Sequence, residues 1–482
     1  MGTSNQVIAR QRIENLLDDN SFVEIGAGVK ARTTDFNIKT KDTPSDGVVT
    51  GYGLINDRLV YVYSQDPEVL GGSVGEMHAK KIVHLYNLAL KMGAPVIGIV
   101  DSTGLRLQES VDGLGAFGKI YAKQSVASGV IPMITAVFGN CGGGLSIVAG
   151  LSDFVFMEAD KASLFLNAPN TIDDNKSDET KSAAFQSEVT GNVSFKGNAD
   201  EIYAGIRDLF SVLPGCNDED ADFLDCEDDL NRGIANATSM AEDTAILLAS
   251  VSDNGFIMET KKDYAPEMVT AFIKLNGATV GAVANRTKIY DEDANEVASF
   301  ENKLTSKGCE KAAKFVDFCD SFNIPVLTLT NVDGFATSMD EEVLGVKNYS
   351  KLVYAFSNAS VPKVNLIVKD AMGSSSVVMN SKSTGADIVY AWPQAKIGIM
   401  EAGLAVKIIY ASELESADNA ADLIAEKTAE YNENQNSIEA AAARGYVDSV
   451  INPEDTRKYL IAAFEMLYTK LEDRPSKKHG TV

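Results

Sequence analysis

Two short runs of apolar, β-branched residues lie 230 positions apart in the chain. The first is Pro95-Val-Ile-Gly-Ile-Val100, and the second is Pro325-Val-Leu-Thr-Leu-Thr330. Neither run alternates strictly between apolar and polar residues, which is typical of strands buried on both faces of a parallel sheet. The pattern therefore predicts one central strand in each half of the chain.

The same offset of 230 extends well beyond these two runs. Six pairs of identical residues carry it: Pro95/Pro325, Gly104/Gly334, Leu114/Leu344, Gly115/Gly345, Pro132/Pro362 and Gly143/Gly373. A period of this length is too long for a solenoid and suits a duplicated domain. We therefore expect two copies of one folding unit.

In each half the central strand is followed by a glycine turn, and a second strand then runs into a turn of small residues. The first turns are Asp101-Ser-Thr-Gly104 and Asn331-Val-Asp-Gly334, and the second are Asn140-Cys-Gly-Gly-Gly144 and Asp370-Ala-Met-Gly-Ser-Ser-Ser376. Strands and helices that alternate with short links imply parallel βαβ units. The predicted class is α/β, with one such domain in each half.

An acidic stretch separates the two halves. Residues Cys216 to Leu230 include eight acidic and no basic side chains, a composition that suits a solvated linker. We therefore predict an N-terminal domain over residues 1–230 and a C-terminal domain over residues 231–482.

The glycine turns also suggest chemistry. A strand that ends in a turn beside a second glycine-rich turn can direct two backbone N–H groups at one point, which forms an oxyanion hole. The candidate donors are Leu105, Gly143 and Gly144 in the first half, and Gly373, Ser374 and Ser375 in the second. The alternative is that these glycines only allow close packing of helix and strand. Two duplicated holes suit a reaction in which two oxygen atoms develop negative charge.

Composition limits the other possibilities. A net charge of −25 disfavours nucleic acid as a partner. The five cysteines form no CxxC pair and there are only three histidines, so neither a metal centre nor a histidine triad is expected. We interpret Cys141 as a core residue rather than a nucleophile. No apolar stretch reaches the roughly 18 residues of a membrane span, and we expect a cytoplasmic protein.

Several longer motifs resemble one known family. They are Asp46-Gly-Val-Val-Thr-Gly-Tyr-Gly53, Gly71-Gly-Ser-Val-Gly-Glu-Met-His78, Tyr264-Ala-Pro266, Phe322-Asn-Ile-Pro325, Ala391-Trp-Pro393 and Arg474-Pro-Ser-Lys-Lys-His-Gly480. Together they resemble the carboxyltransferase subunits of propionyl-CoA and related carboxylases, and of the sodium-pumping acyl-CoA decarboxylases. The resemblance covers nearly the whole chain.

The resemblance implies a fold, an assembly and a distribution of ligands. The expected fold is crotonase-like (the ClpP/crotonase type) in each half, in a homohexamer whose active site is shared between the N-terminal half of one subunit and the C-terminal half of another. The acyl-CoA thioester is expected in the first half and biotin in the second. By this match Leu105 and Gly143 form the thioester hole, and Ser374 and Ser375 form the biotin hole.

Four further residues are expected to contact the bound thioester or biotin: Gly104, Arg106, Gly334 and Phe335. Arg106 could pair with a phosphate of coenzyme A, although a structural ion pair is the alternative. Lys119 and Lys123 could extend a basic patch on the next helix, or belong to a solvated helix face.

The chain also departs from the family pattern. It has Thr103-Gly-Leu-Arg-Leu-Gln108 where the family usually has Gly-Gly-Ala-Arg-Ile-Gln, and Gly373-Ser-Ser375 where the family has Gly-Gly-Ala. Ser374 would be strained if its φ must be positive. Val377 stands where propionyl-CoA carboxylases commonly have Asp, which leaves the acyl preference open.

The absence of an Ala-Met-Lys-Met segment implies that biotin is attached to another chain, a biotin carboxyl carrier protein. The other expected partner is a biotin carboxylase subunit or a sodium-pumping membrane decarboxylase subunit.

Two alternatives stay open. The first is a crotonase-type hydratase, isomerase or hydrolase that uses Glu109 or Glu158 as acid or base without biotin. The second is a non-catalytic scaffold whose second hole has decayed at Ser374 to Ser376.

Overall fold

The structure, a computed structural model, describes residues 7–34, 43–173, 179–219 and 225–475. The chain divides into two compact units, Met1–Ala221 and Asp222–Val482. Each unit is an eight-stranded, mostly parallel sheet flanked by helices. The predicted α/β class is therefore confirmed.

In the described residues of the first unit, the structure has eight strands and five α-helices. In chain order they are α1 (Val7–Leu16), β1 (Val23–Ile25), β2 (Val48–Ile55), β3 (Arg58–Gln65), α2 (Glu76–Met92), β4 (Val96–Ser102), α3 (Val111–Ala127), β5 (Met133–Gly142), α4 (Gly144–Gly150), β6 (Phe154–Glu158), β7 (Ser163–Phe165), β8 (Phe195–Gly197) and α5 (Ala199–Phe210). The strand order is β1-β2-β3-β4-β5-β6-β8, and β7 pairs with the end of β5.

The second unit repeats this plan with additional helices. Its elements are α6 (Thr244–Val251), β9 (Ile257–Thr260), β10 (Met268–Leu275), β11 (Ala278–Asn285), β12 (Lys288–Tyr290), β13 (Glu296–Ser299), α7 (Ser306–Ser321), β14 (Val326–Val332), α8 (Met339–Asn358), β15 (Lys363–Met372), α9 (Gly373–Val378), β16 (Ile388–Ala391), β17 (Lys396–Gly398), α10 (Ala402–Ile409), α11 (Ala411–Ser416), α12 (Ala420–Tyr431), α13 (Ile438–Ala443), β18 (Ser449–Val450) and α14 (Thr456–Leu467). Its main sheet has the order β18-β16-β15-β14-β11-β10-β9, with β17 beside β15.

The duplication holds at the level of strand register. Val96 pairs with Met133 between β4 and β5, and Val326 pairs with Lys363 between β14 and β15, each residue displaced by 230. Both ladders are parallel, and both contain a register shift just before their ends. The 230-residue offset thus gives two sheets with the same strand pairing at their centres.

Burial follows the predicted pattern. Every residue of β14 is buried, as are nearly all residues of β4, since helices cover both faces of each sheet. The helix predicted before β4 is α2, which buries Ile82, Leu85 and Ala89 and ends at Gly93 in a left-handed conformation (φ +62°). Gly93 thereby ends the helix as the sequence predicts.

The segment after β17 contains α-helices that have no counterpart among the described residues between β7 and β8. In the second unit four short helices, α10 to α13, follow β17, and a π-helical turn, Asn432–Asn436, joins α12 to α13. This turn packs against β17. It therefore lies beside the strand that pairs with the end of β15.

The expectation of a solvated linker is wrong for part of the acidic stretch. Asp228 lies in the second unit, where its carboxylate accepts from Arg232 at 2.9 Å and lies 3.4 Å from Arg457. These contacts hold the pKa of Asp228 at about 2, chiefly through the hydrogen bond from Arg232. Cys216, at the other end of the stretch, is buried in the first unit.

In the part of the chain that the structure describes, no helix has both the length and the apolar character needed to span a bilayer.

Candidate active site

The first glycine turn is held against the segment that precedes α2. The carbonyl of Gly104 accepts from the N–H of Val74 at 2.8 Å, and the N–H of Arg106 donates to the Val74 carbonyl at 3.0 Å. Gly104 has φ +94°, a conformation that side chains rarely adopt. This short parallel bridge fixes the peptide groups on both sides of Leu105.

The bridge leaves the N–H of Leu105 unused. In a parallel pairing, the residue opposite Val74 directs its own N–H and C=O away from that partner. The structure provides no acceptor for the Leu105 N–H among the described residues. The Leu105 N–H, just beyond the end of β4, is therefore available as a backbone donor.

The second turn lies beside the first, because β4 and β5 pair up to Ser102 and Cys141. Gly143 takes φ +59° and precedes α4. Its N–H donates to the carbonyl of Phe165 on β7 at 3.0 Å, so the prediction of Gly143 as a donor is corrected. The N–H of Gly144 has no such partner among the described residues, and it is the donor that this turn offers.

The second unit reproduces the first turn. Leu304 donates to the carbonyl of Gly334 at 3.0 Å, and Ala336 donates to the carbonyl of Leu304 at 2.8 Å. Phe335 therefore occupies the position of Leu105, and its ring packs on Tyr349 with centroids 4.4 Å apart. Gly334, with φ +155°, corresponds to Gly104.

The serine-containing turn also keeps the backbone of its counterpart. Gly373 has φ +61°, against +59° for Gly143, whereas Ser374 is not among the residues with positive φ. The strain considered for Ser374 is therefore absent. The Ser375 hydroxyl is buried and donates to the Met372 carbonyl at 2.7 Å, while the exposed Ser374 lines a cavity.

This cavity of about 710 Å³ lies within the second unit. Its wall includes Gly373, Ser374, Ser376 and Val377 from the turn. The opposite side comes from β17 and from the helices that follow it, including Tyr431, Asn436, Arg444 and Tyr446.

Arg106 does not face solvent, and its prediction as a phosphate contact is corrected. Its side chain is 1% exposed. The guanidinium donates to Asp46 at 2.6 Å, to Glu109 at 2.9 Å and to the Ser73 carbonyl at 2.6 Å. Of the two alternatives for Arg106, the structure favours the structural ion pair.

The candidate acid and base side chains are also engaged elsewhere. Glu109 is buried and accepts from Arg106 and from the N–H of Glu76. Glu158 is buried and accepts from the N–H groups of Asp160 and Lys161. Neither carboxylate is free to move a proton in the way that the crotonase-type alternative requires.

Burial controls the remaining candidates for side-chain chemistry. Burial lowers the pKa of His78 to about 3, so this ring is neutral; its Nδ1 lies 2.9 Å from the Asp46 carbonyl and its Nε2 lies 3.1 Å from Gln65. Burial raises the pKa of Cys141 to about 12, which fits core packing and not a thiolate.

His84 is exposed, and His479 lies outside the described residues. Within those residues, no group of three or more His, Cys, Asp or Glu side chains is placed to hold a metal ion.

One polar residue of the cavity was missed by sequence reasoning. Asn436 is 3% exposed, and its Oδ1 accepts no hydrogen bond from the described residues. It lies in a segment with neither a repeat nor a motif, so no sequence signal singles it out.

Comparison with known proteins agrees with this architecture. Residues 3–482 match the carboxyl transferase domain family. The chain is 38% identical over 493 residues to the methylmalonyl-CoA decarboxylase subunit alpha of Propionigenium modestum, covering 99% of this chain and 93% of that protein. It is 39% identical over 485 residues to the methylmalonyl-CoA carboxyltransferase 12S subunit of Propionibacterium freudenreichii, covering 98% and 90%.

A solved structure shows the same similarity in three dimensions. The transcarboxylase 12S crystal structure, described as a hexamer with methylmalonyl-CoA and methylmalonic acid bound, superposes with a TM-score of 0.91 at 38% identity. The match covers 98% of this chain and 91% of that one. The predicted crotonase-like fold is thereby confirmed.

Proposed function

Because the chain belongs to the carboxyl transferase domain family, we propose that it transfers a carboxyl group between biotin and a short acyl-CoA. It is a biotin-dependent acyl-CoA carboxyltransferase. Methylmalonyl-CoA and propionyl-CoA are the favoured substrates, because relatives named for these thioesters are 37–39% identical over 98–99% of the chain. Whether the carboxylation or the decarboxylation direction operates depends on the partner subunits.

The duplicated turn geometry is the observation that carries this proposal. Gly143 and Gly373 take φ +59° and +61°, although the residues after them differ. Leu105 and Phe335 sit in equivalent parallel bridges. Two intact backbone turns suit a reaction that needs two oxyanion sites, and they argue against a scaffold with a decayed second site.

In the first unit, we assign the thioester oxygen to the N–H groups of Leu105 and Gly144. Both groups are held rigidly by the bridge at Val74 and by the start of α4, so they need no reorganisation when the enolate oxygen gains charge. Each such donor typically contributes about 2.7 to 4 kcal/mol of transition-state stabilisation. Gly104 permits the turn through its positive φ.

In the second unit, the turn Gly373 to Ser375 is assigned to the ureido oxygen of biotin. The residues present fit that group, because the turn lines a cavity of about 710 Å³. Bound biotin supplies the nitrogen that carries the carboxyl group. Gly334 and Phe335 form the neighbouring turn, where the Phe335 ring packs on Tyr349.

The phosphates of coenzyme A need a different partner from Arg106. Lys119 is exposed on α3, and Lys123 is partly exposed one turn further along the same helix. We assign the phosphates to this pair, which lies on the helix that follows the Leu105 turn.

The protein works in a larger assembly. Its relatives are subunits of multi-subunit enzymes, and the homologous transcarboxylase 12S core is a hexamer with an acyl-CoA bound. We propose a homohexamer whose active site combines the first unit of one subunit with the second unit of another. A separate biotin carboxyl carrier protein would deliver biotin. A biotin carboxylase subunit would load biotin with the carboxyl group, or a sodium-pumping membrane decarboxylase subunit would use the free energy of its release.

The test is CO₂ release from methylmalonyl-, malonyl- and glutaconyl-CoA by the purified protein, with and without a high concentration of free biotin. Biotin-dependent release, fastest with methylmalonyl-CoA, is the expected result. Turnover that is independent of biotin would replace the proposal with the hydratase, isomerase or hydrolase alternative. Acyl-CoA binding without turnover of any substrate would support the scaffold.

A further inference from the structure

The cavity beside the Gly373 turn contains a buried acceptor that the proposed chemistry has not used. The Asn436 carboxamide donates through its Nδ2 to the Met400 carbonyl at 3.1 Å. This bond fixes which end of the amide is nitrogen and leaves Oδ1 as the unpaired atom. A buried carbonyl oxygen without a donor is costly, and native structures keep few of them.

The position of this oxygen is set by β17. Gly398 has no side chain, and a Cβ built there would lie 2.1 Å from Asn436 Oδ1. Gly398 also pairs with Met372, the residue before Gly373. Asn436 Oδ1 thus lies one strand away from the turn that is assigned to the ureido oxygen.

The first unit is built differently at the same place. There Gly142 occupies the position of Met372, and Phe165 occupies the position of Gly398. The Phe165 ring packs against Gly142, with a distance of 2.4 Å to a Cβ built on that glycine. The duplication therefore diverges at this point: a phenyl ring packs beside the strand pair in the first unit, and the Asn436 carboxamide does so in the second.

We infer that Asn436 Oδ1 accepts the N–H of the non-reacting ureido nitrogen of bound biotin. This inference rests on the proposed function, because it takes biotin as the ligand of the cavity. A ureido ring offers one acceptor oxygen with an N–H beside it. Donors at the Gly373 turn and an acceptor at Asn436 bind these two groups at once, which fixes the rotation of the ring.

The experiment measures binding and not turnover. Ligand-observed NMR titration gives the Kd of biocytin, and of a biocytin methylated on the non-reacting ureido nitrogen, for the intact oligomer. Wild type is expected to bind the methylated probe roughly 3- to 10-fold more weakly, as befits the loss of one hydrogen bond. Asn436→Ala is expected to bind unmodified biocytin more weakly by a similar factor. It should then no longer distinguish the two probes.

Asn434→Ala is the matched control, since Asn434 is an exposed asparagine in the same π-helical turn and does not line the cavity. Gly398→Ala is a second perturbation, because its methyl group would displace the Asn436 oxygen. If Asn436→Ala fails to fold, the Kd values of the two probes for wild type and for Gly398→Ala still test the inference. Equal Kd values of wild type for the two probes would overturn the inference, as would unchanged discrimination in Asn436→Ala. No binding of biocytin by wild type would instead count against the proposed function.

Discussion

The N–H of Gly143 donates to the carbonyl of Phe165 at 3.0 Å. This bond ties the glycine turn after β5 to the short strand β7, so the positive φ of Gly143 is held by a neighbouring strand. In the oxyanion site proposed for the first unit, Gly143 therefore shapes the turn without donating, and the N–H of the next residue, Gly144, is the proposed donor.

Gly144→Pro removes this N–H, while Gly144→Ala adds a Cβ and keeps it. Proline is tolerated at the first position of a helix. In both variants the Cβ would lie 2.8 Å from the Tyr121 hydroxyl, so this contact is the same in the two proteins. We expect kcat of Gly144→Pro to fall roughly 10²- to 10³-fold below that of Gly144→Ala, with a similar KM for acyl-CoA. Steady-state kinetics measures both values, and equal kcat values in the two variants would exclude Gly144 as a donor.

Arg106→Met should destabilise the protein and leave acyl-CoA binding intact. Removing the guanidinium leaves the buried carboxylates of Asp46 and Glu109 without their cation. Burial already raises the pKa of Asp46, and Arg106 opposes that shift. We expect a loss of about 3 to 5 kcal/mol in the free energy of unfolding, measured by urea denaturation.

The control for this variant is Arg32→Met. Arg32 pairs with Glu76 and Asp112 at the surface, with 42% of its side chain exposed, and its loss should cost less than about 1 kcal/mol. Normal stability of Arg106→Met together with a raised KM for acyl-CoA would restore Arg106 as a phosphate contact.

His78 should make stability depend on pH. Burial lowers its pKa from 6.5 to about 3, so below pH 6.5 the unfolded chain binds a proton that the folded protein does not. The stabilisation from His78 is therefore present above pH 6.5. It is lost by about 1.4 kcal/mol for each pH unit between 6.5 and 3.

Other buried groups oppose this trend, because burial raises the pKa of Asp153 to about 7 and of Asp317 to about 6, so both stabilise the fold as the pH falls. The measurement is therefore the difference in unfolding free energy between wild type and His78→Asn at pH 7.5 and at pH 5.5. We expect wild type to lose about 1.4 kcal/mol of its advantage. A pH-independent difference would mean that the pKa of His78 is the same in the folded and the unfolded chain.

The paired glycines should differ in their tolerance of a methyl group. A Cβ at Gly143 meets no atom within 4 Å, so Gly143→Ala bears only the cost of its backbone conformation (φ +59°, ψ −130°), about 1 to 3 kcal/mol. A Cβ at Gly373 would also lie 3.2 Å from the Ile399 carbonyl. We expect Gly373→Ala to show the larger loss in thermal denaturation, and the reverse order would contradict the contact at Ile399.

Most of the architecture could be predicted because the same local sequence patterns recur in both halves of the chain. The runs after Pro95 and Pro325 became β4 and β14, and both glycine turns appeared where they were expected. The orientation of the Leu105 N–H follows from the turn at Gly104, and its role as a donor to substrate stays a prediction. The preference of a residue for a strand or a turn depends mainly on its neighbours in sequence. The repeat at an offset of 230 can therefore be detected before the fold is known.

The sequence by itself determined the α/β class, the two repeated units and the position of the turns. The tertiary structure decided which groups at those turns are available. Arg106 is buried because it donates to Asp46, which lies 60 positions earlier in the chain. Asn436 lies beside the cavity because Gly398 has no side chain to displace it. These outcomes depend on contacts between segments that are distant in the chain, and a local sequence pattern does not encode those contacts.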